Sequence, residues 1–238
     1  MLKVKNISKS INNKKIINDI SFSISAGNIY GLLGPNGAGK TTTFYTIAGL
    51  IKSDKGKIFL GNEDLTKLPM HERSKLGIKY LPQEPSIFLD LTVKENLLGL
   101  AELSYNSKQK IKDFLDKSIE DFGLQDILES KGRQLSGGQR RKVEIARTLA
   151  ANPKIILLDE PFAGIDPIAI EEIQKILKLV AQSDVSILIT DHNVRETLDV
   201  CERSYILNNS KIIAEGSSED ILENEEVKKV YLGEKFKM

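Results

Sequence analysis

A glycine-rich string follows one of the most apolar runs of the chain, and it reads Gly34-Pro35-Asn36-Gly37-Ala38-Gly39-Lys40-Thr41. The run before it, Ile29–Leu33, predicts a buried strand, and the proline-free stretch after it, 40–50, has apolar residues at helical spacing. A strand, a glycine-rich loop and a helix in this order place backbone N–H groups around phosphate oxygens at a helix N-terminus. The pattern therefore predicts a P-loop in an α/β core.

The residue types in the loop predict a nucleoside triphosphate as ligand. Lys40 is expected to neutralise charge on the β- and γ-phosphates, and the Thr41 hydroxyl is expected to coordinate Mg²⁺. A glycine turn that matches by chance is the alternative, and the flanking strand and helix argue against it. The predicted nucleotide-binding residues are Gly34, Pro35, Asn36, Gly37, Ala38, Gly39, Lys40, Thr41 and Thr42.

A second apolar run, Ile155–Leu158, ends in two adjacent carboxylates, Asp159 and Glu160. A carboxylate at the end of a core strand is placed to hold Mg²⁺ opposite Thr41, so Asp159 is predicted as a metal-binding residue. The next residue, Glu160, is predicted to polarise the attacking water. In isolation the pair would read as a surface acidic cluster, but the P-loop upstream favours ATP hydrolysis.

A third string, Leu135–Gln139, contains a serine and two glycines directly before a predicted helix at 140–150. Such a helix start is a second anion site, although an ordinary capped helix would look similar. One chain does not need two γ-phosphate sites. We therefore expect this string to face the nucleotide of another copy, with two chains enclosing two ATP molecules in a twofold dimer. The residues predicted to contact that second nucleotide are Ser136, Gly137, Gly138 and Gln139.

With these three strings, the chain resembles the nucleotide-binding subunits of ATP-binding-cassette (ABC) transporters over essentially its whole length. The resemblance implies a P-loop NTPase (RecA-like) core with an antiparallel β subdomain and an inserted α-helical subdomain. It also implies that Gln83 and His192 act in catalysis beside Glu160, that Gln83 joins Thr41 and Asp159 at the metal, and that Asp166 lies at the dimer seam.

The middle of the chain has a different pattern from its two ends. Thr92 and Glu95 form a capping box that predicts a helix to about residue 103, and Ser107 is expected to cap another that ends near Gly123. Strand and helix alternation resumes at Lys154, with Asp166 as a predicted helix cap. The whole chain, 1–238, is predicted to be one ATP-binding domain, with a core of 1–84 and 154–238 and a helical subdomain of 85–153.

Composition limits where such a protein acts. The formal net charge is only +1, which does not favour nucleic acid as a partner. Cys201, the single cysteine, has no internal disulfide partner, and no apolar run approaches the roughly 20 residues that span a bilayer. The sequence thus predicts a cytoplasmic protein that reaches a membrane only through partner subunits.

Longer strings, such as Tyr80–Phe88 and Thr190–Leu198, resemble the ATPase subunits of lipopolysaccharide exporters. This resemblance implies a homodimer on the cytoplasmic face of the inner membrane, beneath two transmembrane subunits similar to LptF and LptG. It implies that Phe88 receives a helix of those subunits. The alternative is that Ile87, Phe88 and Leu91 are core of the helical subdomain; docking is favoured for Phe88, and the two interpretations are balanced for Leu91. The alternatives are the ATPase of a branched-chain amino-acid importer and, from another class, a cassette acting on ribosomes or DNA.

One position departs from the family. Near residue 11, where relatives place an aromatic ring against adenine, this chain has Ile11. An isoleucine offers apolar contact without a π face, which lowers adenine affinity by about 0.5 to 1.5 kcal/mol. We therefore expect weaker discrimination between ATP and GTP than in relatives that carry the ring.

Overall fold

Two β-sheets organise residues 1–233, the part of the chain that the computed structural model describes. Their strands are β1 (Leu2–Ile11), β2 (Lys14–Ile24), β3 (Ile29–Leu33), β4 (Lys55–Leu60), β5 (Glu63–Asp64), β6 (Ile78–Leu81), β7 (Ile155–Asp159), β8 (Ser186–Thr190), β9 (Arg203–Asn208) and β10 (Lys211–Gly216). One sheet has the order β2-β1-β4-β5 and is antiparallel. The other has the order β10-β9-β3-β8-β7-β6. The predicted α/β class is therefore confirmed.

The larger sheet determines where the functional residues lie. Its strands β9, β3, β8, β7 and β6 are parallel, and only the edge strand β10 is antiparallel. The glycine-rich loop leaves the carboxyl end of β3, and Asp159 and Thr190 pair with each other at the carboxyl ends of β7 and β8. Because ligands of parallel α/β sheets bind at the carboxyl ends of the strands, this edge is where a site is expected.

The two faces of the larger sheet pack into different cores. Along β7, Ile156 and Leu158 pack with helices of the central segment, whereas Ile155 and Leu157 pack with the antiparallel sheet and the helix after the glycine-rich loop. A strand covered on both faces has no polar alternation. This double burial explains why 155–158 reads as an uninterrupted apolar run.

The helices are α1 (Lys40–Ala48), α2 (Met70–Leu76), α3 (Val93–Ser104), α4 (Lys108–Phe122), α5 (Gly137–Leu149), α6 (Pro167–Gln182), α7 (Val194–Val200), α8 (Ser218–Glu223) and α9 (Glu225–Val227). Short 3₁₀ turns lie at Gln125–Ile127 and Gly132–Gln134, and a π-helical turn lies at Lys228–Leu232. Within 1–233, no helix combines the length and the apolar character that crossing a bilayer requires.

Between β6 and β7 the described chain contains three of these helices, α3, α4 and α5. The capping box of Thr92 and Glu95 at the start of α3 is confirmed, and α4 ends at Gly123, which has a left-handed φ of 59°. Ser107 precedes α4 as expected but its side chain makes no capping hydrogen bond. The subdomain boundaries at 85 and 153 stay predictions, and residues 234–238 of the predicted core lie outside the described part.

Two helix boundaries differ from the sequence prediction. Helix α1 ends at Ala48 rather than at residue 50, because Gly49 adopts a left-handed φ of 87° and terminates it. Helix α5 begins at Gly137 rather than at Arg140. The hydroxyl of Ser136 accepts the N–H of Gln139, and the side chain of Gln139 in turn accepts the N–H of Ser136. This capping box makes Ser136 the N-cap, so the helix starts three residues earlier than predicted.

Candidate nucleotide-binding and catalytic site

The glycine-rich loop fits closely against neighbouring backbone. A Cβ on Gly34, whose φ is 145°, would overlap the carbonyl oxygen of Leu207. A Cβ on Gly39, whose φ is 107°, would lie 2.5 Å from the carbonyl oxygen of Ile16. Both positions therefore require glycine, for conformation and for space. The loop is held in a cradle whose tip, Asn36 and Gly37, is exposed.

Lys40, the first residue of α1, points back into this loop. Its Nζ donates to the carbonyl oxygens of Gly34 at 2.6 Å and Pro35 at 3.2 Å, and the residue is only 8% exposed. Burial lowers the pKa of Lys40, and the carboxylates Glu160 and Asp159 oppose that shift. A buried cation whose hydrogen-bond acceptors are neutral carbonyl groups is available to an incoming anion, since a phosphate oxygen is a stronger acceptor.

A cavity of ≈ 380 Å³ opens beside the loop. It is lined by all three residues predicted to hold the metal, namely Thr41, Gln83 and Asp159, together with Glu160. We call it the Asp159 cavity. Its other lining residues are Tyr45, Leu50, Tyr80, Pro82, Glu84 and Pro85. The structure thus brings the predicted metal set and the predicted water-activating group to one place from three separate segments of the chain.

Asp159 is the most buried carboxylate of this cavity, at 5% exposure. The hydroxyl of Tyr80 donates to its Oδ2 at 3.0 Å. Burial raises the pKa of Asp159, and the hydrogen bond from Tyr80 opposes that shift. A buried carboxylate that shares its cavity with a threonine hydroxyl and a glutamine is a suitable ligand for a hard divalent cation.

Glu160 and His192 lie in direct contact at the carboxyl ends of β7 and β8. Nε2 of His192 is 2.7 Å from Oε1 of Glu160, and the glutamate side chain is the more buried of the two, at 17% against 52% exposure. Glu160 has a left-handed φ of 47°, and its N–H donates to the carbonyl oxygen of Thr190 at 2.7 Å. A left-handed glutamate is an uncommon backbone conformation, of the kind that persists where function requires it.

Asp191 was not predicted from the sequence as a site residue, yet it is 1% exposed at the centre of this region. Its carboxylate accepts the N–H groups of Phe162 and Asn193, each at 2.8 Å. It therefore ties the loop after β7 to the loop after β8, and burial raises its pKa. Its position directly before His192 is the signal that would have found it.

Arg141 is a second residue that sequence analysis missed. It is 5% exposed, and its guanidinium donates to the carbonyl oxygens of Pro82 at 3.0 Å and Asp159 at 3.1 Å. It also pairs with Glu144 at 3.2 Å. Arg141 thus connects α5 to both segments that supply Gln83 and Glu160, although nothing in its local sequence separates it from its exposed counterparts.

The predicted second anion site lies at the start of α5. The Ser136 hydroxyl accepts the N–H of Gln139, and Gly138 packs so closely on Ala169 that a Cβ would overlap that side chain. Gly137 lines a neighbouring cavity of ≈ 290 Å³, together with Gln83, Glu160 and Gly164. Asp166 is exposed and caps α6, accepting the N–H of Ala169 at 3.0 Å.

A third cavity, of ≈ 350 Å³, borders β6, and we call it the Phe88 groove. Phe88 is 54% exposed and Leu91 is 40% exposed, whereas Ile87 is buried at 6%. Ile87 therefore belongs to the core, and Phe88 does not. The groove is lined by Ala48, Met70, Ser74, Ile78, Lys79, Tyr80, Leu81, Ser86, Phe88, Leu100, Arg147, Thr148 and Ala151.

Phe88 is exposed but firmly positioned. Its N–H donates to Oδ1 of the buried Asn96 at 2.9 Å, and its carbonyl oxygen accepts from Nδ2 of the same residue at 3.0 Å. The guanidinium of Arg147 lies over its ring, 5.1 Å from the centroid. These contacts restrict the conformational freedom of an exposed aromatic residue.

Comparison with known proteins places these features in one family. Residues 17–163 match the family described as ABC transporter, and residues 211–237 match the family described as branched-chain amino acid ATP-binding cassette transporter. The lipopolysaccharide export system ATP-binding protein LptB of Haemophilus influenzae is 53% identical over 239 residues, which cover 100% of this chain and 99% of that protein.

Solved structures agree with this match. The ADP conformation of MJ1267, an ATP-binding cassette of an ABC transporter, has a TM-score of 0.86 at 30% identity and covers 98% of this chain and 99% of its own. The dimeric structure of MJ0796, a bacterial ABC transporter cassette, has a TM-score of 0.79 at 26% identity, covering 92% of this chain and 99% of its own. With its P-loop, its paired carboxylates and its capped serine-glycine string in one fold, the chain belongs to the ATP-binding cassettes of the ABC transporter family.

Proposed function

We propose that this chain is the ATP-hydrolysing subunit of an ABC transporter that extracts lipopolysaccharide from the inner membrane for export to the outer membrane. The Asp159 cavity, which joins Thr41, Gln83, Asp159 and Glu160 beside the P-loop, is the observation that carries ATP hydrolysis. The choice of lipopolysaccharide rests on identity to an LptB protein along the full chain. The match to a branched-chain amino-acid cassette covers the C-terminal segment 211–237, which supports that alternative less.

The residues of the site fit ATP and Mg²⁺. The backbone cradle of Gly34 to Gly39 and the buried Lys40 suit the phosphates, while Thr41, Gln83 and Asp159 would hold Mg²⁺. Mg²⁺ takes few protein ligands and keeps waters and phosphate oxygens, so a set with one carboxylate suits it. When bound, the ion neutralises charge on the phosphates of the substrate.

The residues of this chain accept a proton from the attacking water and position the water and the γ-phosphoryl group. Glu160 orients the attacking water and accepts its proton, and His192, 2.7 Å from that carboxylate, contacts the γ-phosphoryl group. Lys40 compensates the charge on the transferred phosphoryl group. Asp191 and Arg141 hold the loops that carry these groups, so water attack meets a prearranged site.

The working unit in this proposal is a homodimer. Ser136, Gly137, Gly138 and Gln139 of one copy contact the nucleotide held by the P-loop of the other, and Asp166 lies at the seam. The dimeric MJ0796 cassette supports this arrangement. ATP closes the dimer because each nucleotide is fully liganded only between two copies, and hydrolysis reopens it.

The partners in this proposal are two transmembrane subunits similar to LptF and LptG, and the dimer acts on the cytoplasmic face of the inner membrane without nucleic acid. Each copy of the chain has one Phe88 groove, which receives a helix from one transmembrane subunit. Residues 1–238 form one ATP-binding domain in this proposal, with 85–153 as its helical subdomain. Their net charge of +1 is unlike that of the basic proteins that act on ribosomes or DNA.

Phe88→Ala is expected to weaken assembly with the transmembrane subunits by about 30-fold, because an exposed, preorganised ring at an interface contributes about 2 kcal/mol or more. ATP hydrolysis by the isolated chain is expected to stay unchanged. The measurement is co-purification with the membrane subunits, alongside phosphate release. Leu103→Ala is the matched control, since Leu103 is 85% exposed and lies outside the groove. Equal assembly by both variants would contradict docking at Phe88.

Ile11→Tyr is expected to raise the affinity for an ATP analogue about 2- to 12-fold, because the tyrosine provides an aromatic ring against which adenine can stack. Ile11 is 40% exposed at the end of β1, and the β1–β2 hairpin leads directly to Ile16, whose carbonyl lies against Gly39. The measurement is the Kd of AMP-PNP and of the guanosine analogue by calorimetry. Leu103→Tyr is the control. An unchanged Kd would show that adenine does not lie near this hairpin.

The transported molecule is tested in cells. Depletion of this protein is expected to remove lipopolysaccharide from the cell surface and to accumulate it at the inner membrane, with uptake of labelled leucine intact. Lost leucine uptake with a normal outer membrane would make the chain an importer's ATPase, while the ATP chemistry above would stand.

A further inference from the structure

Tyr80 is the residue that lines both the Asp159 cavity and the Phe88 groove. It lies on β6, opposite Leu157 of β7 in the parallel pairing, so its strand is next to the strand that carries Asp159. The metal set and Glu160 line one of these cavities, and Phe88, Arg147 and Met70 line the other. Tyr80 is half-buried and borders both cavities, so its contacts can relate one cavity to the other.

The contacts of Tyr80 reach both elements that would hold the metal. Its hydroxyl donates to Oδ2 of Asp159 at 3.0 Å. Its ring meets the ring of Tyr45 edge to face, with centroids 5.9 Å apart and an interplanar angle of 88°. Tyr45 belongs to α1, the helix that begins with Lys40 and Thr41.

We propose that Tyr80 is a positioning residue that links occupation of the Phe88 groove to the geometry of the metal site. The hydroxyl fixes the carboxylate of Asp159, and the residue forms part of the groove wall, so a partner helix packed in the groove bears on Tyr80. This inference rests on the proposed function, because it needs a metal at Asp159 and a partner at Phe88. It adds a residue that the P-loop, carboxylate and histidine motifs do not include.

The variant that isolates the hydroxyl is Tyr80→Phe, which keeps the ring and its packing. Tyr105→Phe is the matched control: its hydroxyl donates to Asn152 Oδ1 at 3.3 Å, and it lines neither cavity. The measurement is the affinity of Mn²⁺ for the full chain with AMP-PNP, followed by electron paramagnetic resonance. Loss of a hydrogen bond to a metal ligand typically costs tenfold or more in metal affinity. We expect Tyr80→Phe to bind Mn²⁺ about tenfold more weakly than the wild type. Tyr105→Phe is expected to bind Mn²⁺ with the affinity of the wild type.

AMP-PNP binding in EDTA reports on the loop alone and is expected to be equal in both variants and the wild type. Equal Mn²⁺ affinity in Tyr80→Phe and wild type would overturn the positioning role, and so would a matching loss of metal-free nucleotide binding, which would indicate general damage. Failure of the wild type to bind Mn²⁺ with AMP-PNP would instead overturn the proposed function itself.

The link to the groove has its own measurement. Assembly of the wild-type dimer with its transmembrane subunits is expected to shift Mn²⁺ affinity, and the shift is expected to shrink at least threefold in Tyr80→Phe. An assembly shift of equal size in Tyr80→Phe and wild type, or no shift in the wild type, would show that groove and metal site are independent.

Discussion

Glu160→Gln is expected to reduce ATP turnover by about 10²- to 10⁴-fold while ATP binding persists. An amide has nearly the shape of the carboxylate but cannot accept a proton from water. The contacts that hold the nucleotide, from the glycine-rich loop and Lys40, do not involve this side chain. Because hydrolysis is what reopens the proposed dimer, the variant is also expected to remain dimeric with ATP and Mg²⁺.

The geometry around Glu160 makes this result specific to that position. Its N–H is fixed on Thr190 at 2.7 Å, and its carboxylate lies 2.7 Å from Nε2 of His192. The measurements are phosphate release and size-exclusion chromatography with ATP. Glu219→Gln, an exposed glutamate on α8, is the matched control and is expected to behave as the wild type. Brisk turnover by Glu160→Gln would show that another group activates the water.

The parts of the fold that sequence analysis predicted correctly are those in which the residue pattern and the local structure coincide. The strand Ile29–Leu33 was predicted with its observed bounds, because a strand buried on both faces is uniformly apolar. The capping box at Thr92 was predictable because both of its partners lie within one turn. The family match confirms the resemblance that these motifs carried.

What sequence analysis did not find depends on contacts between distant segments. Strands β4, β5, β6, β9 and β10 were left unassigned, because their mixed residues become strands only when they pair with other strands. Buried polar residues were also missed. Arg73 follows Glu72 and Arg133 follows Gly132, and both arginines lie in polar sequence with no distinguishing pattern. However, Arg73 is 1% exposed, whereas the side chain of Arg133 is 58% exposed. Composition cannot separate them, since burial is decided by tertiary packing.

Arg73→Met is expected to lower the free energy of unfolding by about 3 kcal/mol, the largest stability effect we expect in this chain. The guanidinium donates to four backbone carbonyl groups, and methionine keeps the buried stem but none of the donors. The acceptors are Thr46 at 2.7 Å, Ile47 at 2.8 Å, Leu68 at 2.8 Å and Thr66 at 3.3 Å. Two of them belong to the last turn of α1, where carbonyl groups have no partner within the helix.

Two opposing terms decide the size of this effect. Burial lowers the pKa of Arg73 to about 10, which reflects the cost of holding a cation away from water, and Arg73→Met removes that cost. Against this, each buried acceptor left without a donor costs about 1 to 3 kcal/mol, and the cation also interacts favourably with the C-terminal end of α1. With several acceptors left unpaired at once, the second term is the larger.

Urea denaturation of Arg73→Met and Arg133→Met distinguishes two effects. One is the loss of the buried Arg73 clamp, meaning its hydrogen bonds to four carbonyl groups, and the other is the loss of a positive charge in general. Arg133 pairs with Asp90 at the surface, where such pairs contribute at most about 1 kcal/mol, so its variant is expected to unfold close to the wild type. Arg73→Lys keeps the charge but loses the planar set of donors, and an intermediate midpoint is expected. Equal midpoints for Arg73→Met and Arg133→Met would mean that water replaces the guanidinium at the end of α1, and that the P-loop helix does not depend on this clamp.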